Sequence, residues 1–179
     1  MSDRHVAAAL SLLLAVLVGG TSLPAQAQSG ISVTVPEAEP TPGQTVTLSI
    51  EAGLGSEQVE SYNNMEFEFD PAALNVDKDD VRDGGGLSFG DSNFLVSKPQ
   101  PGILRVSNVA KSLVSGEGVF LEIDVTLTTG ADIPNSGTPF RLSPSSPGTP
   151  ENQATSVFVD QDGNELEVNT INQGKVGDL

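Results

Sequence analysis

Residues Tyr62 to Val76 read YNNMEFEFDPAALNV, and the alternation in this stretch leaves the backbone little choice. Met65, Phe67 and Phe69 alternate with Asn64, Glu66 and Glu68, the period of a strand with one face buried and the other in water. Asp70-Pro71 ends it, because proline has no N–H to donate and a fixed φ, and Ala72-Ala73-Leu74 form a short corner beyond. Such a strand has a core side and a display side. Asn64, Glu66 and Glu68 occupy the display side, either as a binding surface or as a solvated face.

The same period recurs along the chain. Ile31 to Val35 alternates and stops at Pro36, Thr41-Pro42-Gly43-Gln44 signals a turn, and Thr45 to Ala52 alternates through Val46, Leu48 and Ile50. Gly53 to Glu60 reads as a loop into the central strand. Phe94 to Ser97 and Ile103 to Val109 form a hairpin around Lys98-Pro99-Gln100-Pro101-Gly102, with Leu104 and Val106 inward and Arg105 and Ser107 outward. Val119 to Thr128 is the longest regular strand, with Val119, Leu121, Ile123, Val125 and Leu127 on one face and Glu122 and Asp124 on the other. Pro139 to Leu142, the pair flanking Asp162-Gly163, and Ile171 to Val176 complete the set, with Asp162-Gly163 read as a type I′ hairpin turn. Ser143 to Pro150 is too rich in proline for a strand and reads as a surface loop. No stretch has a helical period long enough for a helix layer, so the expected class is all-β.

The N-terminus follows a different logic. Arg4 and His5 precede an apolar run from Val6 to Val18, then Gly19-Gly20 and Ala25-Gln26-Ala27, the anatomy of a secretory signal peptide cleaved after Ala27. The expected organisation is a signal peptide over 1–27 and one β-sandwich domain over 28–179. About 150 residues suffice for one core. The chain has no cysteine, so burial of Val, Leu, Ile and 7 Phe must hold an exported domain together without disulfides. The formal charge of −16 excludes nucleic acid and anionic membrane surfaces as partners, and no second apolar segment offers membrane insertion.

Enzyme parts are scarce. The single histidine is His5, in the leader, so nucleophilic triads and zinc sites of the usual kind lose their main residues, and no catalytic residue is assigned. Two acidic segments imitate calcium loops. Asp77 to Asp83 carries Val81 and Arg82 where an EF-hand needs a ligand and a glycine. Asp160-Asp162-Asn164 is followed by Ile171 at the closing position. Both read better as turns, so no metal or other cofactor is expected on this chain.

Taken in order, Pro42-Gly43-Gln44-Thr45-Val46, Phe67-x-Phe69-Asp70-Pro71-x-x-Leu74, Gly118-Val119-Phe120, Val159 to Asn164 and the closing Gly174-Lys175-Val176 resemble a cohesin domain over nearly the whole mature chain. The resemblance implies a nine-stranded β-sandwich with jelly-roll topology, acting as a secreted, monomeric, non-catalytic adaptor. Its flat face would bind a dockerin, a small calcium-loaded module on another exported protein, so calcium is expected on the partner. In the family, outward residues of the strand before the Asp-Pro corner and its neighbours make much of the contact. Those places fall here to Tyr62, Asn64, Glu66, Arg105 and Ser107, although many members carry an Asn and an Asp where this chain has Tyr62 and Asn64.

Two other readings share the architecture: a carbohydrate-binding module with polysaccharide as partner, and a structural domain of the cell surface or matrix. Sugar-binding faces rely on exposed aromatic rings, and this chain has one tyrosine and no tryptophan.

Cleavage after Ala27 removes Asp3 and Arg4 and leaves 23 acids against seven bases. Mutual repulsion of that many carboxylates is screened by salt, so the melting temperature should rise from low to molar sodium chloride. A flat or falling curve would show that self-repulsion is no part of the stability balance.

Overall fold

The computed structural model describes residues 30–90, 93–134, 137–143, 156–166 and 168–177. The expected leader and the proline-rich segment from Pro144 onward lie outside the described residues. In chain order the elements are β1 (Ile31–Thr34), β2 (Thr45–Phe69), β3 (Leu74–Asn75), one 3₁₀ turn (Lys78–Asp80), β4 (Val81–Asp83), β5 (Leu95–Gln100), β6 (Ile103–Leu127), β7 (Thr138–Leu142), β8 (Val157–Asp160), β9 (Glu165–Leu166), β10 (Val168–Asn172) and β11 (Gly174–Val176).

Two of these set the architecture. β2 and β6, each 25 residues long, pair antiparallel from Thr45 opposite Thr126 to Glu68 opposite Ile103. The first half of β2 is flanked by β1, and the second half of β6 by β3 and β4. The other halves are flanked by β7 and β8 beside β2, and by β5 beside β6. The ribbon therefore serves two sheets. They pack face to face, as Tyr62 from one half meets Phe120 from the other with ring centroids 5.3 Å apart. β10 runs parallel beside β1, and β11 pairs antiparallel with β7. This is the all-β sandwich expected. Hydrogen bonding divides it into eleven strands rather than nine, and two of them, β3 and β9, are only two residues long.

Bulges let one ribbon serve both sheets. The β2–β6 register slips between Gly53 and Ser61, where Gly55 takes φ 60°, and the segment expected to be a loop stays hydrogen-bonded inside β2. A second slip sets Ile50 opposite Leu121 but Glu51 opposite Val119, so Phe120 is the extra residue. That slip corrects the parity of β6: Phe120 is fully buried, and Val119, expected in the core, is only partly covered. Gly84 and Gly86 run against this bulge, and a Cβ on Gly84 would stand 2.5 Å from the Val119 carbonyl oxygen. Any larger residue there would push the loop off β6.

The core is aromatic where the two sheets meet. Phe140 stacks on Phe67 and Phe69, and Tyr62 meets Phe89, Phe120 and Phe158 edge to face. Edge-to-face geometry sets ring edges against negative faces and adds to the area buried. The Tyr62 hydroxyl lies beside the Asn108 side chain, and burial first, then the charge of Asp83, pushes the phenol well above its ordinary range. Asn108 Nδ2 donates to the Gly90 carbonyl at 2.8 Å, and the Asp83 carboxylate accepts from Ser88 Oγ and from the Phe89 and Gly90 amides. Neither the phenol oxygen nor Asn108 Oδ1 has a well-formed partner among the described residues.

The turn after β8 differs from the expected type I′. Gly163 N–H donates to the Asp160 carbonyl at 3.1 Å, and Gly163 has φ 81° while Asp162 does not have a positive φ. A type I′ turn needs positive φ at both central residues, so this hairpin uses a longer loop with glycine in the left-handed position. Asp160 closes it by accepting from the amides of Asp162 and Asn164, and those bonds, the Asn164 side chain's first, lower its pKa.

Ring burial separates two substitutions at Tyr62. Tyr62→Ala should cost roughly 3–5 kcal/mol, whereas Tyr62→Phe, which removes a poorly partnered hydroxyl, should stay within about 1 kcal/mol. Denaturant unfolding of both variants is the check, and an Ala variant as stable as the parent would show a ring at the surface.

Candidate functional site

The outward face of the β7–β2–β6–β5 sheet is built by one irregularity. Tyr62 stands opposite Asn108 and Met65 opposite Val106, so Asn63 and Asn64 together face the single residue Ser107. This is a β-bulge, and Asn64 takes φ 50°, the only non-glycine residue with positive φ among those described. Asparagine tolerates the left-handed region better than other side chains bearing a Cβ, so it suits this place. Its amide N–H donates to Ser107 Oγ at 2.9 Å, which ties the bulge to β6.

The bulge overturns one expectation. Counting by twos back from Met65 sends Tyr62 outward, but the extra residue reverses the parity, and Tyr62 is 0% exposed. It supports the face from beneath and does not belong to its surface. Asn64 is exposed, and Glu66, Arg105 and Ser107 are partly exposed on neighbouring strands, so the other four expected residues come together.

Their charges are already engaged. Glu66 and Arg105 stand directly opposite, and Arg105 Nε donates to Glu66 Oε2 at 2.6 Å, with the glutamate side chain only 13% exposed. Glu68 lies opposite Arg141 in the register and accepts from Ser143 Oγ at 2.5 Å. Sequence reasoning missed Leu95, which is 69% exposed opposite Ser107. The signal was there. In Phe94-Leu95-Val96 a period of two must turn one apolar residue outward, and Val96 opposite the buried Val106 takes the inner place.

The other outer face is knitted to itself. Arg82 bridges Glu122 at 2.7 Å and Asp124 at 2.9 Å, Thr47 donates to Asp124 at 2.5 Å, and Thr45 meets Thr126 at 2.6 Å. The Arg82 guanidinium, and next Thr47, hold the Asp124 carboxyl below the usual carboxylate range. Beside it lies a groove of about 450 Å³ lined by Ser32, Thr34, Glu51, Glu117 and backbone around Gly53 and Gly118, without an aromatic ring. The acidic segment that imitates a calcium loop caps its own 3₁₀ turn, with Asp77 and Asp80 bonded reciprocally. Among the described residues no cluster of His, Cys, Asp or Glu is arranged to hold a metal, and no helix is long and apolar enough to cross a membrane.

Asn64→Gly should be neutral or slightly stabilising, while Asn64→Ala should cost about 1 kcal/mol from the strained φ. Equal melting temperatures for the two variants would mean that the bulge is absent in solution.

Comparison with known proteins bears on most of this chain. The family model for the cohesin domain matches residues 31–176. No curated protein matches. Among solved structures, the sixth cohesin of scaffoldin B from Acetivibrio cellulolyticus, in complex with a Cel5 dockerin, superposes with a TM-score of 0.67 at 18% identity, covering 83% of this chain and 98% of that one. A solution structure from Clostridium acetobutylicum gives 0.67 at 19% identity, covering 83% and 90%. A non-cellulosomal cohesin from the archaeon Archaeoglobus fulgidus gives 0.59 at 19% identity, covering 82% and 91%. At such identities these likenesses speak for the fold alone.

Proposed function

Since the chain belongs to the cohesin family, we propose that it is a non-catalytic binding module that takes up a dockerin on another exported protein, through the outward face of β7–β2–β6–β5. The observation that carries the reading is the family match over residues 31–176, joined to a face that brings Asn64, Glu66, Arg105 and Ser107 together. The N-terminal apolar run with Ala25-Gln26-Ala27 supports export, and the module acts as a monomer in an extracellular assembly. Calcium belongs to the partner. Among the described residues no exposed aromatic platform favours a sugar ligand, and the one tyrosine is buried in the core.

Arg105 has a different role from the one its charge suggests. It is paired within the chain, so Arg105→Ala leaves Glu66 without its partner and should weaken dockerin binding by about 1–2 kcal/mol, roughly five- to thirtyfold. The measurement is calorimetric titration with dockerin modules in calcium, repeated with chelator. Binding that survives the chelator, or none by any dockerin in calcium, would count against the proposal.

A further inference from the structure

The segment from Gly84 to Gly90 is a strap between two register slips of the β2–β6 ribbon. At one end the Gly84 N–H donates to the Phe120 carbonyl at 3.0 Å, and the Gly86 and Leu87 amides donate to the Val119 carbonyl at 3.1 and 2.8 Å. This end grips the slip that makes Phe120 the extra residue. At the other end the Gly90 carbonyl accepts from Asn108 Nδ2 at 2.8 Å. Asn108 stands opposite Tyr62, and the next residues on the two strands are the second bulge itself, Asn63 and Asn64 against Ser107.

One carboxylate closes the strap. Asp83 Oδ2 accepts from Ser88 Oγ at 2.6 Å and from the Gly90 amide at 3.2 Å, while Oδ1 accepts from the Phe89 amide at 3.1 Å and from Asn108 Nδ2 at 3.4 Å. A polar side chain without exposure in mid-strand is costly unless its bonds fix something that an apolar residue could not. Asn108 is 0% exposed, and its carboxamide ties β6 to the strap one residue away from the bulge.

We propose that Asp83 and Asn108 are positioning residues for the outward face: they fix the stretch of β6 on which Ser107 stands, and so hold the bulge that displays Asn64. The consequence for binding rests on the dockerin reading, to which this adds residues that lie behind the face rather than on it. A bulge leaves one residue out of the ladder, and a slip of the register by one residue would turn the strand over, so its place has to be held by contacts outside the ladder. The Asn64 amide depends on Ser107 Oγ, and a shift of Ser107 would release it.

The test compares Asp83→Asn, Asn108→Leu and Ser88→Ala with Val125→Ala, which opens a cavity in the half of β6 that serves the other sheet and lowers stability without touching the strap. The first readout is hydrogen exchange of backbone amides in the free protein. Asp83→Asn and Asn108→Leu should speed exchange at Asn64 about tenfold or more relative to the Phe67 and Leu104 amides. Ser88→Ala, which takes one donor from Asp83 at an exposed position, should speed it about threefold, and Val125→Ala not at all. The second readout is calorimetric titration with a dockerin module in calcium, where Asp83→Asn and Asn108→Leu should bind roughly tenfold more weakly and Val125→Ala as the parent does.

An Asn64 amide that keeps the parent's exchange rate in all three strap variants, or that Val125→Ala speeds as much, overturns the proposal. So does an undiminished dockerin affinity in variants whose Asn64 amide has been released. Ser88→Ala keeps the test decisive if neither of the other strap variants folds. A parent that takes up no dockerin sinks the proposed function alone, since the exchange measurement needs no partner and still decides whether the strap holds the bulge.

Discussion

Everything in this sandwich depends on the pairing of β2 with β6. Two strands of 25 residues cannot stay flat and also enclose a core, because a flat two-stranded ribbon has nothing to pack against. The ribbon is therefore bent by slips in its register, and each half becomes the centre of its own sheet. The halves then bury one another's inner faces, with Tyr62, Phe120 and Phe158 meeting across the gap. Most of the shorter strands extend what the ribbon begins. β1, β3 and β4 line one half, and β5, β7 and β8 the other.

The bulge at Asn63–Asn64 connects this architecture to the proposed binding surface. On the inner side it delivers Tyr62 to the aromatic cluster, and on the outer side it displays Asn64 beside Ser107. One inserted residue thus serves both stability and presentation. The same sheet pairs Glu66 with Arg105 across strands, so the charges that sequence alone would offer to a partner are balanced inside the chain. Leu95 stands exposed beside them, opposite Ser107. On the opposite face Arg82 holds Glu122 and Asp124, Thr47 bonds Asp124, and Thr45 bonds Thr126.

How much of this was legible in the residues depends on whether a strand stayed regular. Met65, Phe67, Phe69, Leu104 and Val106 all point inward as alternation requires, and the hairpin of β5 with β6 lies where its prolines and glycine place it. Parity fails at every slip. Tyr62 and Val119 fall on the other side because a bulge changes the count by one, and the segment from Gly53 to Glu60, which reads as a loop, stays inside β2 across the slips in its register. Asn63-Asn64 in mid-strand was a hint, since asparagine is poor at strand interiors and tolerant of positive φ. The internal pairing of Glu66 with Arg105 was beyond reach without the register, which depends on two segments 39 residues apart in sequence.

The central claim is that a dockerin docks on the sheet face around Asn64, Ser107 and Leu95, and chemical-shift mapping of backbone amides during titration with a calcium-loaded dockerin tests it most directly. The account predicts perturbations clustered at Asn64, Glu66, Leu95, Arg105, Ser107 and Val109, with Thr47, Glu122 and Asp124 unmoved. A cluster centred on Thr47, Glu122 and Asp124, with the Asn64 and Leu95 amides unchanged, would contradict it.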